Sequence, residues 1–391
     1  MSDVPVVQGV RWGAAEAGIR KRGGLDLGLV LCTWPAASAA IFTKCEAAAA
    51  PVLLSRQRVR RGRTAAILVN AGCANACTPD GMEVAEATTA AVAETVGCPE
   101  NQVLVASTGV IGQRLPSEKV IDAIPGLVGD ASEDGLDRFA RAIMTTDTFP
   151  KVAARTFGKA AIAGCAKGAG MIMPNMATML AFVATDALVA PADLRKLLKA
   201  AAHDSFNAVT VDGDTSTNDS LFLLAPGAAG VVAEPGSRSW KALEKALREV
   251  STELATSIAR DGEGATKLIA VKVEGAKNER DADAVARRIA NSPLVKTAIH
   301  AADANWGRIV AAAGTAGVHF DARKLEVRIG DAVLCRRGVA TDPESEVEAT
   351  RHLQGKEVEI RVKLGAGKAS RTVWTCDFSA DYVKINAEYR S

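Results

Sequence analysis

Lys167-Gly168-Ala169-Gly170-Met171-Ile172-Met173-Pro174-Asn175-Met176-Ala177-Thr178-Met179-Leu180 is the stretch on which the reading of this chain turns. It sets a Thr behind a small residue, after a Gly- and Pro-punctuated loop, at the head of an apolar run. Gly168 and Gly170 admit backbone conformations closed to other residues. Pro174 fixes its own φ and pushes Met173 away from helix. Ala177 leaves its carbonyl unshielded, and the β-branched Thr178 has few rotamers to compete with one aimed at it. Attack by the Thr178 hydroxyl would turn the peptide into an ester that water can release. Thr178 would then be N-terminal, with its own α-amine as base. A plainer alternative stands beside this one. Glycines before an apolar run also make a turn into a buried strand. Four of the seven methionines lie between Met171 and Met179, and Met fills cores well.

Around this stretch the chain has 391 residues, enough for one large domain or two. It is 48% hydrophobic but only 4% aromatic, so the apolar content is aliphatic and suits tight helix-on-sheet packing. A net charge of +2 argues neither for nor against a polyanionic partner. The basic run Arg56, Arg58, Arg60, Arg61 and Arg63 has no interleaved aromatics and reads as a solvated surface, not a nucleic-acid patch. No stretch approaches the ~20 apolar residues of a membrane span, and MSDVPVVQGV lacks the features of a secretory signal. Eight scattered cysteines, with Cys73 and Cys77 unsupported by a second pair or a flanking His, suit a reduced cytoplasmic protein without a metal or cofactor.

Residues 64–69 and 103–106 read as buried strands, with an Ala-rich helix over 82–96 between them. A strand is expected over 178–184, then a helix from Pro191 with Leu194, Leu197, Leu198, Ala201 and Ala202 at helical spacing, and another over 239–258 with Leu243, Ala246, Leu247, Val250 and Leu254 on one face. Leu325, Val327 and Ile329, and then Val358, Ile360, Val362 and Leu364, alternate with charged residues, as half-buried strands do. Segments 226–239 and 275–283 read as surface connections. The order is too irregular for a parallel βαβ repeat, so the expected class is α+β. Gly168-Ala169-Gly170 and Gly365-Ala366-Gly367-Lys368 only begin to look like phosphate loops, and both read as turns. His203, His300, His319 and His352 carry no catalytic signature and read as surface or core residues.

KGAGMIMPNMATMLAFVATDA is similar to the self-cleavage segment of the ornithine acetyltransferase (glutamate N-acetyltransferase) family of arginine biosynthesis. Further segments resemble that family, in family order: Gly9 to Trp12 with Ala17 to Ile19, Asn70 to Cys77, Ser107 to Gly112 and Met144 to Thr148. Asp212 to Asp219, Asp261 to Lys267, Asp303 to Arg308 and Asn386 to Ser391 complete the set. The resemblance implies a layered α/β/β/α sandwich built from both cleavage products, 1–177 and 178–391, cut between Ala177 and Thr178.

It further implies Thr178 as nucleophile and, once cut, as base, with Thr108 and Gly109 as oxyanion hole. A free α-amine titrates at about 7.7–8.0, which suits that task. Substrate contacts are implied at Thr145, Lys167, Thr178, Glu263, Asn386 and the terminal Ser391, where the family has Thr and a hydroxyl is retained. The implied reaction moves acetyl from N-acetylornithine to glutamate through an acetyl-enzyme; acetyl-CoA as a further donor is left open. Two α and two β chains would associate as a heterotetramer. The competing readings are an N-terminal-nucleophile aminopeptidase or amidohydrolase of related fold, with water as acceptor, and an uncut binding protein.

Overall fold

In the computed structural model the described residues are 4–173 and 179–388. They form two compact units: residues up to Asn207 with Asp214–Ile258, and Ala208–Gly213 with the chain from Ala259.

The first unit holds eight strands: β1 (Val10–Ala15), β2 (Leu27–Phe42), β3 (Arg63–Cys73), β4 (Val103–Val110), β5 (Lys151–Phe157), β6 (Ala160–Lys167), β7 (Leu180–Thr185) and β8 (Ser220–Ala225). They make one sheet in the order β4-β3-β2-β8-β7-β6-β5, with β1 on β2. The pivot is β2, 16 residues long. Leu27 to Leu31 pair with β3, the register slips before Ala36, and Ala37 to Phe42 pair with β8. Such a break bends a strand, and here the sheet turns over on itself.

The two halves meet face to face. Val30, Ile67, Val69 and Leu104 from one half share a core with Ala163, Phe182, Ala184 and Phe222 from the other. An aromatic chain runs through it. Phe139 lies 5.2 Å from both Trp12 and Phe182, and Phe182 stacks on Phe222 at 5.3 Å.

Helices cover the outer faces. Leu27, Leu29, Leu31 and Leu68 alternate with the inner residues and pack on helices α2 (Gly81–Val96) and α3 (Ser117–Gly129). Between β2 and α2 lies α1 (Ala50–Arg58), and α4 (Leu136–Ala142) carries Phe139 inward. On the opposite side α5 (Pro191–Asp204) buries Leu194, Leu197, Leu198, Ala201 and Ala202, the periodic face expected of it, and packs on β2. Next comes α6 (Arg238–Arg260), whose Glu249 and Glu253 pair with Arg155 of β5 at 3.1 and 2.8 Å. Helix, sheet half, sheet half and helix give the α/β/β/α layering within this unit, and the fold class is α+β as expected.

The second unit has a six-stranded sheet of β9 (Leu268–Ala276), β10 (Glu326–Ile329), β11 (Ala332–Arg336), β12 (Val339–Ala340), β13 (Glu357–Lys363) and β14 (Ala369–Cys376), in the order β12-β11-β10-β13-β9-β14. Only β13 and β9 run parallel. Its core gathers the expected alternating residues of β10 and β13 against α7 (Glu279–Ala290), α8 (Pro293–His300), α9 (Trp306–Gly314) and α10 (Pro343–Leu353). The last helix is α11 (Ala380–Glu388).

Two readings need correction. Residues 275–283 are not a connection: Asn278 caps α7 by accepting from the Asp281 N–H at 2.9 Å, and Glu279 already opens the helix. In the basic run, Arg58 is buried, donating to Thr89 Oγ1 at 2.9 Å and the Val103 carbonyl at 2.8 Å, while Arg60, Arg61 and Arg63 are exposed. Among the described residues no helix is long and apolar enough to cross a membrane.

Candidate active site

Strand alternation brings the first groups together. On β4, Leu104 and Ala106 face the core between the sheet halves, so Thr108 falls on the same inner side at the strand's end. On β6, Ala161, Ala163 and Cys165 face it from the other half, and Lys167 follows in the same phase. Lys167 Nζ donates to Thr108 Oγ1 at 3.2 Å and to Thr145 Oγ1 at 2.6 Å. Lys167 is 4% exposed and Thr108 7%, so the cation and the Thr108 hydroxyl are withdrawn from solvent, while Thr145 is half-buried.

Gly109 follows at φ 131°. A Cβ there would stand 2.3 Å from the Gly72 carbonyl carbon and 2.5 Å from the Cys73 nitrogen. Only glycine lets β4 pass this close to β3, where the register slips at Gly72 and Cys73. The turn is braced from behind. Ser107 Oγ donates to Asn70 Oδ1 at 2.6 Å, and Asn218 Nδ2 donates to the carbonyls of Ser107 at 2.9 Å and Ala74 at 2.7 Å.

Thr145 lies on the link from α4 to β5, which is organised by Asp147. Its carboxylate accepts from the Thr145 N–H at 2.9 Å, the Gly168 N–H at 2.7 Å and Lys151 Nζ at 2.6 Å, with Lys167 Nζ 4.0 Å away. Burial alone would raise this carboxyl; the charges of Lys167 and Lys151 and the Lys151 and Gly168 hydrogen bonds outweigh burial and hold it at about 2. Arg20 grips the same link, donating to the carbonyls of Ala142 and Met144, and is itself set by Asp26, which accepts from the Arg20 N–H at 3.0 Å.

A second buried carboxyl stands where β7 begins. Leu180 pairs with Lys167 on one side and with Ser220 on the other. Just ahead of it, the Met179 N–H donates to Asp219 Oδ1 at 3.1 Å and the Met179 carbonyl accepts from the Ser220 N–H at 3.0 Å. Burial pushes the Asp219 carboxyl well up; the Met179 N–H and Lys167 oppose this without overcoming it.

The second unit assembles two more of the expected groups. Asn386 Nδ2 donates to Glu263 Oε2 at 2.9 Å. Glu263 is buried in a loop whose neighbour Gly262 would place a Cβ 2.6 Å from Cys376 Sγ. Asp377 holds the far end of that loop, accepting from Thr266 N–H at 2.8 Å, Thr266 Oγ1 at 2.6 Å and Lys267 N–H at 2.7 Å, with His300 Nδ1 at 2.7 Å. Burial would raise Asp377, yet the hydrogen bonds from Thr266 and His300 bring it below the usual carboxylate range.

The structure thus joins Thr108, Thr145 and Lys167 in one unit and Glu263 and Asn386 in the other. Ala177, Thr178 and Ser391 lie outside the described residues. Asp147, Lys151 and Asp219 were not picked out from the sequence. Asp147 and Asp219 stood inside segments noted for their resemblance, but nothing local marks an Asp as buried.

Fold and site together define an α+β enzyme with a buried cation held among hydroxyls. Residues 11–391 match the model of the ArgJ family. The arginine biosynthesis bifunctional protein ArgJ of Geobacter sulfurreducens is 50% identical over 98% of this chain and 100% of its own length. The protein of that name from Bradyrhizobium diazoefficiens is 47% identical, over 100% and 97%. The crystal structure of arginine biosynthesis bifunctional protein argJ from Bacillus halodurans is 44% identical with a TM-score of 0.50, covering 52% of this chain and 95% of that one. The chain belongs to the ArgJ family. Membership carries the enzyme class expected from the sequence, an acyltransferase of arginine biosynthesis.

Proposed function

We propose that this chain cuts itself between Ala177 and Thr178 and then moves acetyl from N-acetylornithine to glutamate. The Thr178 hydroxyl attacks the Ala177 carbonyl, the peptide becomes an ester, and water frees residues 1–177 from 178–391. The new α-amine of Thr178 takes the hydroxyl proton as acetyl transfers to Oγ, and returns it to the departing ornithine. Glutamate then attacks the acetyl ester and leaves as N-acetylglutamate. The Thr108 hydroxyl and Gly109 N–H receive the oxyanion charge.

Lys167 and Thr145 are the proposed contacts to the substrate α-carboxylate, Glu263 the proposed contact to its amine, and Asn386 and Ser391 are further substrate contacts in the proposal. The observation that carries this reading is the buried ammonium of Lys167 bonded to both Thr108 and Thr145, in a chain of the ArgJ family. Lys167 and Lys151 both bring their ammonium groups to the carboxylate of Asp147. The relatives are called bifunctional, and we take acetyl-CoA as the second donor. The assembly proposed is two α and two β chains, and the compartment the cytoplasm.

Assays with each donor, with and without glutamate, test the reaction. Transfer should need the acceptor and follow ping-pong kinetics. Thr178→Ala should leave an uncut, inactive chain, and Thr108→Val should lower kcat by about 10²–10³. Free acetate formed equally fast without glutamate would make the enzyme a hydrolase instead.

A further inference from the structure

Lys296 stands on the buried face of α8, with Val295, Ala298 and Ile299, and is 1% exposed. Lysine is almost never fully buried without partners that account for it, and the transfer scheme makes no use of this one. Its Nζ donates to Thr375 Oγ1 at 2.8 Å and to the Cys376 carbonyl, and lies 3.7 Å from Cys376 Sγ. The same nitrogen sits 4.4 Å from the centre of the Phe378 ring, and the Phe378 N–H donates to the Lys296 carbonyl at 3.4 Å. These partners all belong to the end of β14 and the short link from it to α11.

That link holds Glu263 from one side. Cys376 Sγ occupies the space that Gly262 leaves open, where a Cβ would stand 2.6 Å from the sulfur. Ser379 Oγ donates to the Gly264 carbonyl at 2.6 Å, and a Cβ on Gly264 would stand 2.5 Å from the Tyr382 nitrogen. Asp377 accepts from the N–H groups of Thr266 and Lys267. Glu263 thus lies between two glycines, each pressed against the link or the start of α11.

The link also roots Asn386. No residue of α11 is buried, so core packing does not seat this helix. Tyr382 stacks on Phe378 at 4.7 Å, and its carbonyl accepts from Asn386 Nδ2 at 3.0 Å. The same nitrogen donates to Glu263 Oε2. Pairing of β14 with β9 ends at Cys376, and beyond it α8 takes over, with Lys296 at residues 375–378 and His300 at Asp377.

We propose that Lys296 is a positioning residue for the substrate-amine contact. It touches no substrate; it fixes the link from β14 to α11, and through that link the Glu263 carboxylate against Asn386. The inference rests on the assignment of Glu263 to the substrate amine made above.

The test compares two acetyl donors on the purified enzyme: N-acetylornithine, and N-acetylnorvaline, which keeps the acetyl group and α-carboxylate but has no amine. Wild type should prefer the amine-bearing donor in kcat/KM, and Glu263→Gln should abolish that preference. Lys296→Met keeps the length of the side chain but has no donor. It should cut the preference about tenfold, through a higher KM for N-acetylornithine, and leave the KM for N-acetylnorvaline near wild type. A lysine that only stabilised the fold would lower Tm and the yield of active enzyme for both donors alike, so a K296M enzyme with the wild-type preference overturns the proposal. Where K296M gives no soluble enzyme, Lys296→Gln, which is shorter and retains an amide donor, decides: a weakened preference supports the role, and the wild-type preference overturns it. An E263Q enzyme that kept the full preference would instead overturn the amine assignment on which the inference rests.

Discussion

Two buried aspartates in the first unit, Asp147 and Asp219, are driven in opposite directions by their surroundings. Two lysines and backbone N–H groups hold Asp147 at about 2, whereas burial pushes Asp219 up, its Oδ2 lacking a hydrogen-bond partner among the described residues. The consequences for stability have opposite sign. The Asp147 contribution is complete above the unfolded carboxyl value of about 3.9 and is lost as pH falls through about 2; it is worth about 2–3 kcal/mol. Thermal unfolding between pH 5 and pH 2 should show that loss in wild type and a smaller one in Asp147→Asn, which starts from lower stability. For Asp219, stability is complete below the unfolded value and declines as pH rises toward the raised folded one. Asp219→Asn should therefore melt at or above wild type near neutral pH; a Tm several degrees lower would contradict this account. Neither aspartate was legible as a site residue. The sequence shows an Asp; only the packed layers show that it is dry and what faces it.

Elements were more legible than residues where their period was unbroken. The apolar faces of α5 and α6 and the alternation of β10 and β13 stand in the structure as read. The pivot strand β2 escaped notice because Trp34-Pro35 and a run of alanines interrupt its pattern, and those same residues mark where it bends. Thr108 and Lys167 were placed by resemblance, but alternation along β4 and β6 accounts for why they meet. The β4 turn depends on Gly109, so Gly109→Ala should cost at least about 2–3 kcal/mol and leave little soluble protein, seen in expression yield and Tm. In the second unit the loop bearing Glu263 hangs on Asp377. Asp377→Asn should lower stability by about 2–3 kcal/mol and raise the KM for N-acetylornithine, read by calorimetry and initial rates. An unchanged KM would free the loop from that anchor.

The two compact units do not coincide with the two expected pieces. Unit boundaries fall near residues 207 and 258, whereas the proposed cut lies at 177/178, inside the first unit's stretch of chain. One piece would bring β1 to β6 to the sandwich and the other β7 and β8. Across the cut, β6 and β7 stay paired from Ile162↔Thr185 to Lys167↔Leu180, and β7 and β8 remain buried against the shared aromatic core. The pieces should therefore copurify through any column run without denaturant. The order of strands in such a sheet could not be read from local pattern, because neighbours such as β2 and β8 are far apart in the chain. The central claim is a missing covalent bond, and the intact mass of the purified, denatured protein tests it most directly. The account predicts two polypeptides of 177 and 214 residues, the second beginning with Thr178. A single fully active polypeptide of 391 residues would contradict it.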